Sequence, residues 1–262
     1  MKKHLKIAAC LFRLNLASAL EYRSSFLTQA FGMALSNSSF IFFWWIAFQQ
    51  LGGYIAGYSF QDVLFIWATT SSAFGLANVL FANAANVTKL IVSGELDAYL
   101  LQPCNVLVNV LCARTSLSAY GDLAYGFILM GLAYHDTAAA WLWFFVGVLL
   151  GSLLFSAVTL TAHTLSFYWG DASMIGQLTT EFVINFSIYP DKIYGPAVRA
   201  LMYSLLPIGL AIHVPLRLFR AFSPLTALAA LGASLLYCVL AGVFFSRGLR
   251  RYESGNIMAT RL

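Results

Sequence analysis

The sequence predicts an all-α integral membrane protein with six transmembrane helices, an N-terminal amphipathic interfacial helix and a re-entrant hairpin before the last span. Three observations lead there. The 262 residues are 60% hydrophobic and only 10% charged, with a mean hydropathy of +0.78, far from the ~45–50% apolar and ~25% charged of a soluble domain. Several apolar runs exceed the ~18 residues that a helix needs to cross a bilayer. Strand-like alternation is missing, so the spans are helices and not barrel strands.

Taken in order, residues 1–24 place Leu5, Ala8, Ala9, Phe12, Leu16, Ala19 and Leu20 at helical spacing, with Lys2, Lys6 and Arg13 on another face. Such a helix lies in the interface against anionic lipid headgroups. A cleaved leader is not expected, since Arg13 and Asn15 interrupt the apolar run. Residues 26–48 form the first span, with Trp44 and Trp45 at the far interface. A loop without Lys or Arg comes next, as expected outside the cell, and then a second span at 63–85. Its Thr69, Thr70, Ser71, Ser72, Asn78 and Asn83 suit close helix packing or a polar pathway; packing is the expected use for most of them.

Residues 89–103 are a polar interlude. Leu96, Tyr99 and Leu100 fall on one helical face, Glu95 and Asp97 sit in the first turn, and Pro103 ends the segment. A short amphipathic cytoplasmic helix is expected here. The run 106–134 is longer than a bilayer requires, so its first turns project into the cytoplasm and the third span is 115–134. Asp122 within it is costly unless paired or hydrated, and a structural, hydrogen-bonded role is expected. The fourth span is 141–163, where His163 reads as a packing residue because no second metal ligand stands at helical spacing. The fifth, 172–189, carries Glu181 near its middle.

Between 190 and 223 the pattern frays. Pro190, Pro196, Pro207, Pro215 and Pro224 crowd this stretch, Pro207 breaks the apolar piece 200–216, which is only marginally long enough to cross, and residues 197–216 read as a hairpin that enters from outside and returns. Non-helical backbone at membrane depth survives only inside protein or along a cavity. Arg217 and Arg220 oppose this by lying outside, but Arg247, Arg250, Arg251 and Arg261 after the last span, 224–246, form the larger cluster, so both termini are cytoplasmic. The formal charge of +5 therefore reports topology and implies no nucleic acid. Cys10, Cys104, Cys112 and Cys238 lack metal or redox spacing, and no metal or cofactor is expected.

Gly94-Glu95-Leu96-Asp97 with Leu100 and Pro103, Ser187-Ile188-Tyr189-Pro190, Leu206-Pro207 with Pro215, the ending Gly248 to Asn256, and Glu21-Tyr22-Arg23 near the start together resemble a bacterial branch of the ABC-2 type exporter permeases. The resemblance covers nearly the whole chain. It implies a subunit that does no chemistry and works as a dimer with a second copy or a related sibling permease in the bacterial inner membrane. It also implies coupling to a cytoplasmic ABC ATPase dimer through the 89–103 segment, so that Glu95, Leu96, Asp97, Tyr99 and Leu100 become the candidate ATPase contacts. The first, second and fifth spans would line the pathway, with Asn78, Asp122 and Glu181 as its candidate polar residues. The chain has no GxxxxGK[ST] loop, so ATP belongs to the partner. Two other readings compete: a stand-alone secondary transporter or channel using Asp122 and Glu181, and an intramembrane enzyme on His163, Asp122 or Glu181, for which no nucleophile-base pair is present. The aromatic and small residues of the spans suit an amphipathic, lipid-like or drug-like cargo.

Overall fold

The computed structural model describes residues 23–253; the interfacial helix expected at 1–24 and the last arginine, Arg261, lie essentially outside them. The helices are α1 (Arg23–Gln50), α2 (Phe60–Phe81), α3 (Val87–Val92), α4 (Asp97–Leu100), α5 (Val106–Cys112), α6 (Ser118–Tyr134), α7 (Ala138–Thr164), α8 (Ser166–Trp169), α9 (Ser173–Ile188), α10 (Pro196–Tyr203), α11 (Gly209–Arg220) and α12 (Pro224–Leu249). A 3-10 segment, Ala82–Asn86, joins α2 to α3. Four stretches among the described residues are long and apolar enough to cross a membrane: Leu27–Gln50, Phe60–Val92, Ala138–Trp169 and Pro224–Leu249. The 17-residue α6 and 16-residue α9 are shorter.

The Phe60–Val92 stretch is the centre of the bundle: 72% of its most apolar window is buried, against 22% for α12 and 11% for the first stretch. Its packing rests on small residues, because lipid offers no hydrophobic drive for one helix to seek another. A Cβ on Gly126 of α6 would meet the Ala68 carbonyl at 2.5 Å and the Ser72 hydroxyl, and one on Gly75 of α2 would meet the backbone of Leu123 at 2.6 Å. Ser71 donates to the Asp122 carbonyl at 2.7 Å, Thr70 to the Ser187 carbonyl at 3.2 Å, and Asn83 to the Val110 carbonyl at 2.7 Å. Most of the polar residues of the second span are therefore spent on interhelical packing.

The expected run 106–134 divides at residues 113–117 into α5 and α6, as its excess length requires. Between α1 and α2 stands a two-residue hairpin, Tyr54–Ile55 with Tyr58–Ser59. Its turn residues Ala56 and Gly57 have φ of 52° and 81°, the left-handed pair that matches strand twist. Ser59 then caps α2 through a reciprocal capping box with Asp62.

Contacts order the elements along the bundle axis. Asp62 at the start of α2, Tyr134 at the end of α6 and Arg220 at the end of α11 meet at one end. Leu96, Leu160 of α7 and Phe245 of α12 meet at the other. The beginning of α11 reaches only the middle of α7, where Gly147 and Gly151 face Ala211 and Ile212. α11 therefore runs from mid-bundle back to the Asp62 end, where α12 begins.

Candidate functional site

Two features of the Leu96 end bear on function: a segment that projects from the bundle, and a groove beside it. The segment is held from inside. Gly94, at φ 76°, ends α3 in a conformation that glycine adopts without penalty, and the Leu96 amide reaches back to the Leu90 carbonyl at 3.0 Å. Leu96 is 0% exposed, packed with Val87, Leu90, Ile91, Val110, Leu160 and Phe245. This corrects the expectation that Leu96 faces a partner: its apolar side chain gains more from the protein's own cluster than from solvent. Tyr99 packs partly against the same cluster. Asp97 faces Tyr252, whose hydroxyl is pushed up to about 12 by burial and then by that carboxylate. Of the expected contacts, Glu95 and Leu100, at 42% exposed, stay on the outer surface, beside Ala98, Leu101 at 87% exposed, Gln102 and Pro103.

The groove is made of two cavities that meet at Ala85 and Thr180. The deeper one, about 220 Å³, is lined by Phe74, Phe81 and Phe155 with Asn78. The shallower one, about 420 Å³, is lined by Thr88, Lys89, His163, Gln177 and Glu181. The structure thus brings Asn78 and Glu181 to one groove and adds Lys89, which sequence reasoning passed over; its signal is a lone cation in the apolar run Val87-Thr88-Lys89-Leu90-Ile91. The Asn78 side-chain amide donates to the Phe74 carbonyl of its own helix, 3.0 Å away.

Asp122 stands apart from the groove. It is 5% exposed and accepts a hydrogen bond from Asn37 of α1 at 3.3 Å, a structural contact between α1 and α6. His163 is likewise a packing residue. Its Nδ1 lies 2.8 Å from the Thr88 hydroxyl, which is also 2.8 Å from the Ser166 hydroxyl. Its ring fills the space where a Cβ of Gly176 would be. This network ties α3, α7, α8 and α9 together, and only a glycine lets α9 come so close.

α9 exposes a mixed face. Gln177, Glu181 and Asn185, at i, i+4 and i+8, are all exposed, alternating with exposed Met174, Leu178 and Phe182. Between Leu225 and Val243 the exposed large residues of α12, by contrast, are all apolar, namely Leu225, Leu228, Leu231, Leu235, Leu236, Val239, Leu240 and Val243, and the exposed Arg247 comes only in its last turn. Apolar side chains suit lipid; a carboxylate facing hydrocarbon does not.

At the Asp62 end the two buried carboxylates are satisfied inside the protein. Asp191 is buried and accepts from Tyr58 at 2.6 Å, from Tyr203 at 2.7 Å and from Arg217. Burial pushes its carboxyl up, but the two tyrosine hydrogen bonds and the nearby His213 and Arg217 outweigh this and hold it below the ordinary carboxylate range. Burial and then the Asp191 carboxylate raise the Tyr58 hydroxyl. Asp62 accepts from Arg220 Nε at 3.1 Å and from Tyr134 at 3.4 Å, and the Arg220 guanidinium lies 5.2 Å from the Tyr58 ring centroid.

No curated protein and no solved structure matches the chain. Residues 35–255 match the family model described as ABC-2 family transporter protein, a stretch that takes in α2 to α12 with both the groove and the projecting segment, and the chain belongs to that family of membrane transport proteins.

Proposed function

We propose that the chain is the membrane-spanning permease subunit of an ATP-driven exporter, forming the translocation pathway as a dimer and coupled to a separate cytoplasmic ABC ATPase dimer. The observation that carries this reading is the α9 stripe of Gln177, Glu181 and Asn185, which is too polar for lipid and therefore faces a second permease, identical or related, or an aqueous path between the two. The groove with Asn78 and Glu181 opens beside that stripe.

In this reading α1, α2, α6, α7, α9 and α12 make six crossings of the bacterial inner membrane, with the Leu96 end and both termini in the cytoplasm. α10 and α11 form the re-entrant hairpin from outside. Arg217 and Arg220 fit that placement because Asp191 and Asp62 neutralise them; a paired arginine no longer acts as a free cytoplasmic charge in the topology rule. The projecting segment docks the ATPase through Glu95, Leu100 and Leu101, with Leu96, Tyr99 and Asp97 holding it from behind. ATP is bound by the partner, and lipid surrounds the α12 face. The cargo is amphipathic, lipid-like or drug-like, matching a groove that is apolar at depth and polar at its mouth.

Coexpression with an ABC ATPase tests this. Wild type should copurify with the ATPase as a complex holding two permeases, and Leu101→Asp should lose the ATPase while keeping its own fold. Undiminished copurification of the variant would sink the docking role. Transport by the chain alone, driven by an ion gradient, would sink the exporter reading; the separation of Asp122 from the Glu181 groove already weighs against a two-carboxylate carrier.

A further inference from the structure

We propose that the groove selects a single-chain amphiphile whose headgroup carries both a positive and a negative charge. The inference rests on the transport reading above and deepens it. Three observations lead to it. The cavity walled by Phe74, Phe81 and Phe155 adjoins the polar one, sharing Ala85 and Thr180 with it, so a molecule that occupies both places an apolar end and a polar end in a fixed order. The mouth holds one cation, Lys89, and one anion, Glu181. Neither forms an ion pair among the described residues, where Arg217, Arg220 and His135 take up the three ion pairs present.

Charge complementarity then sets the headgroup. A phosphate or carboxylate is drawn to the Lys89 ammonium and an ammonium to the Glu181 carboxylate, while Gln177 and Thr180 offer neutral donors and acceptors between them. A purely anionic or purely cationic headgroup satisfies one wall charge and is repelled by the other. Specificity of this kind comes as much from the unfavourable pairing as from the favourable one. The two cavities together fall within the ~300–1,000 Å³ of small-molecule sites, which accommodates one chain and its headgroup and favours that over a bulky double-chain lipid.

Three probes built on one photoreactive alkyl chain test the assignment: an alkylphosphocholine, an alkyl phosphate and an alkyltrimethylammonium, each crosslinked to the full chain in non-ionic detergent and mapped by mass spectrometry. The phosphocholine probe should label residues 74–85 and 155–159 about tenfold more than either singly charged probe. Lys89→Gln should shift the preference toward the ammonium probe, and Glu181→Gln toward the phosphate probe. Equal labelling by the three probes in the wild type, or adducts confined to other segments, would overturn the proposal without recourse to any variant. ATPase copurification is read separately from the same preparation, so a chain with no ATPase partner defeats the exporter reading and leaves the headgroup preference to stand or fall alone.

Discussion

At the Asp62 end the buried carboxylates Asp62 and Asp191 each have an arginine and a tyrosine of their own, whereas at the Leu96 end Lys89 and Glu181 line one cavity without forming an ion pair among the described residues. The first arrangement fastens: Asp191 joins Tyr58, Tyr203 on α10 and Arg217 on α11, while Asp62 joins α2 to α6 and α11. The second leaves charge available to something that arrives. The difference teaches that ionisable residues in a membrane protein divide by whether the protein itself satisfies them, and that only the unsatisfied ones point to cargo.

Substitutions at the two ends should therefore separate stability from transport. The largest loss is expected from Asp191→Ala, which strands two tyrosine hydroxyls and the Arg217 guanidinium. Breaking a buried pair costs ~3–5 kcal/mol, and the lower figure applies because Arg217 is 43% exposed. Thermal unfolding in detergent reads it, and a melting temperature equal to wild type would break the fastening half of the comparison. The same carboxyl fixes a pH dependence. Its pKa in the fold lies below the unfolded value of about 3.9, so its stabilisation is present above that value and disappears as pH falls through the lower folded pKa. The stability gap between wild type and Asp191→Asn should persist at pH 5 and close only in stronger acid; closure near neutral pH would contradict the assigned direction.

Leu96→Ala should cost about 2–3 kcal/mol, since the side chain is fully buried and its cluster spans four helices. ATPase binding should survive it once the variant is folded, in contrast to Leu101→Asp. The smallest stability effect belongs to Lys89→Gln and Glu181→Gln, under about 0.5 kcal/mol each, as for surface groups without partners. Substrate-stimulated ATPase activity should nevertheless change in both. Variants that melt early and transport normally would reverse the comparison.

How much of the molecule is legible in the chain depends on the range of each interaction. Hydropathy is local, so the long spans are legible, and the division at residues 113–117 agrees with excess length alone. Leu96, Tyr99 and Leu100 share a helical face, but periodicity does not tell whether an apolar face turns outward to a partner or inward to its own bundle. The cluster that takes in Leu96 includes Leu160 and Phe245, distant in sequence and invisible to spacing. Arg217 and Arg220 look like evidence against the hairpin because their neutralising partners lie 26 and 158 residues away. Asp122 and His163 carry hydrogen-bond partners, Asn37 and Thr88, that lie 85 and 75 residues away and cannot be read from local sequence. Asp122 and Glu181 look alike in a sequence window; only folding puts one against α1 and the other on the groove.

The 3-10 segment Ala82–Asn86 sets the helical phase of α3 relative to α2. Five residues wound at three per turn advance the chain about 100° further round its axis than five wound at 3.6 per turn, and lengthen it by ~2.5 Å. With the non-helical backbone of Phe81 (φ −136°, ψ 28°) before it, this segment gives Lys89, which now lines the cavity, a different direction from the one that an unbroken α-helix would give it. The tight winding acts as a fixed angular offset between the upper and lower halves of one span: the upper half stays locked on α6, and the lower half is rotated so that its single cation looks across at α9.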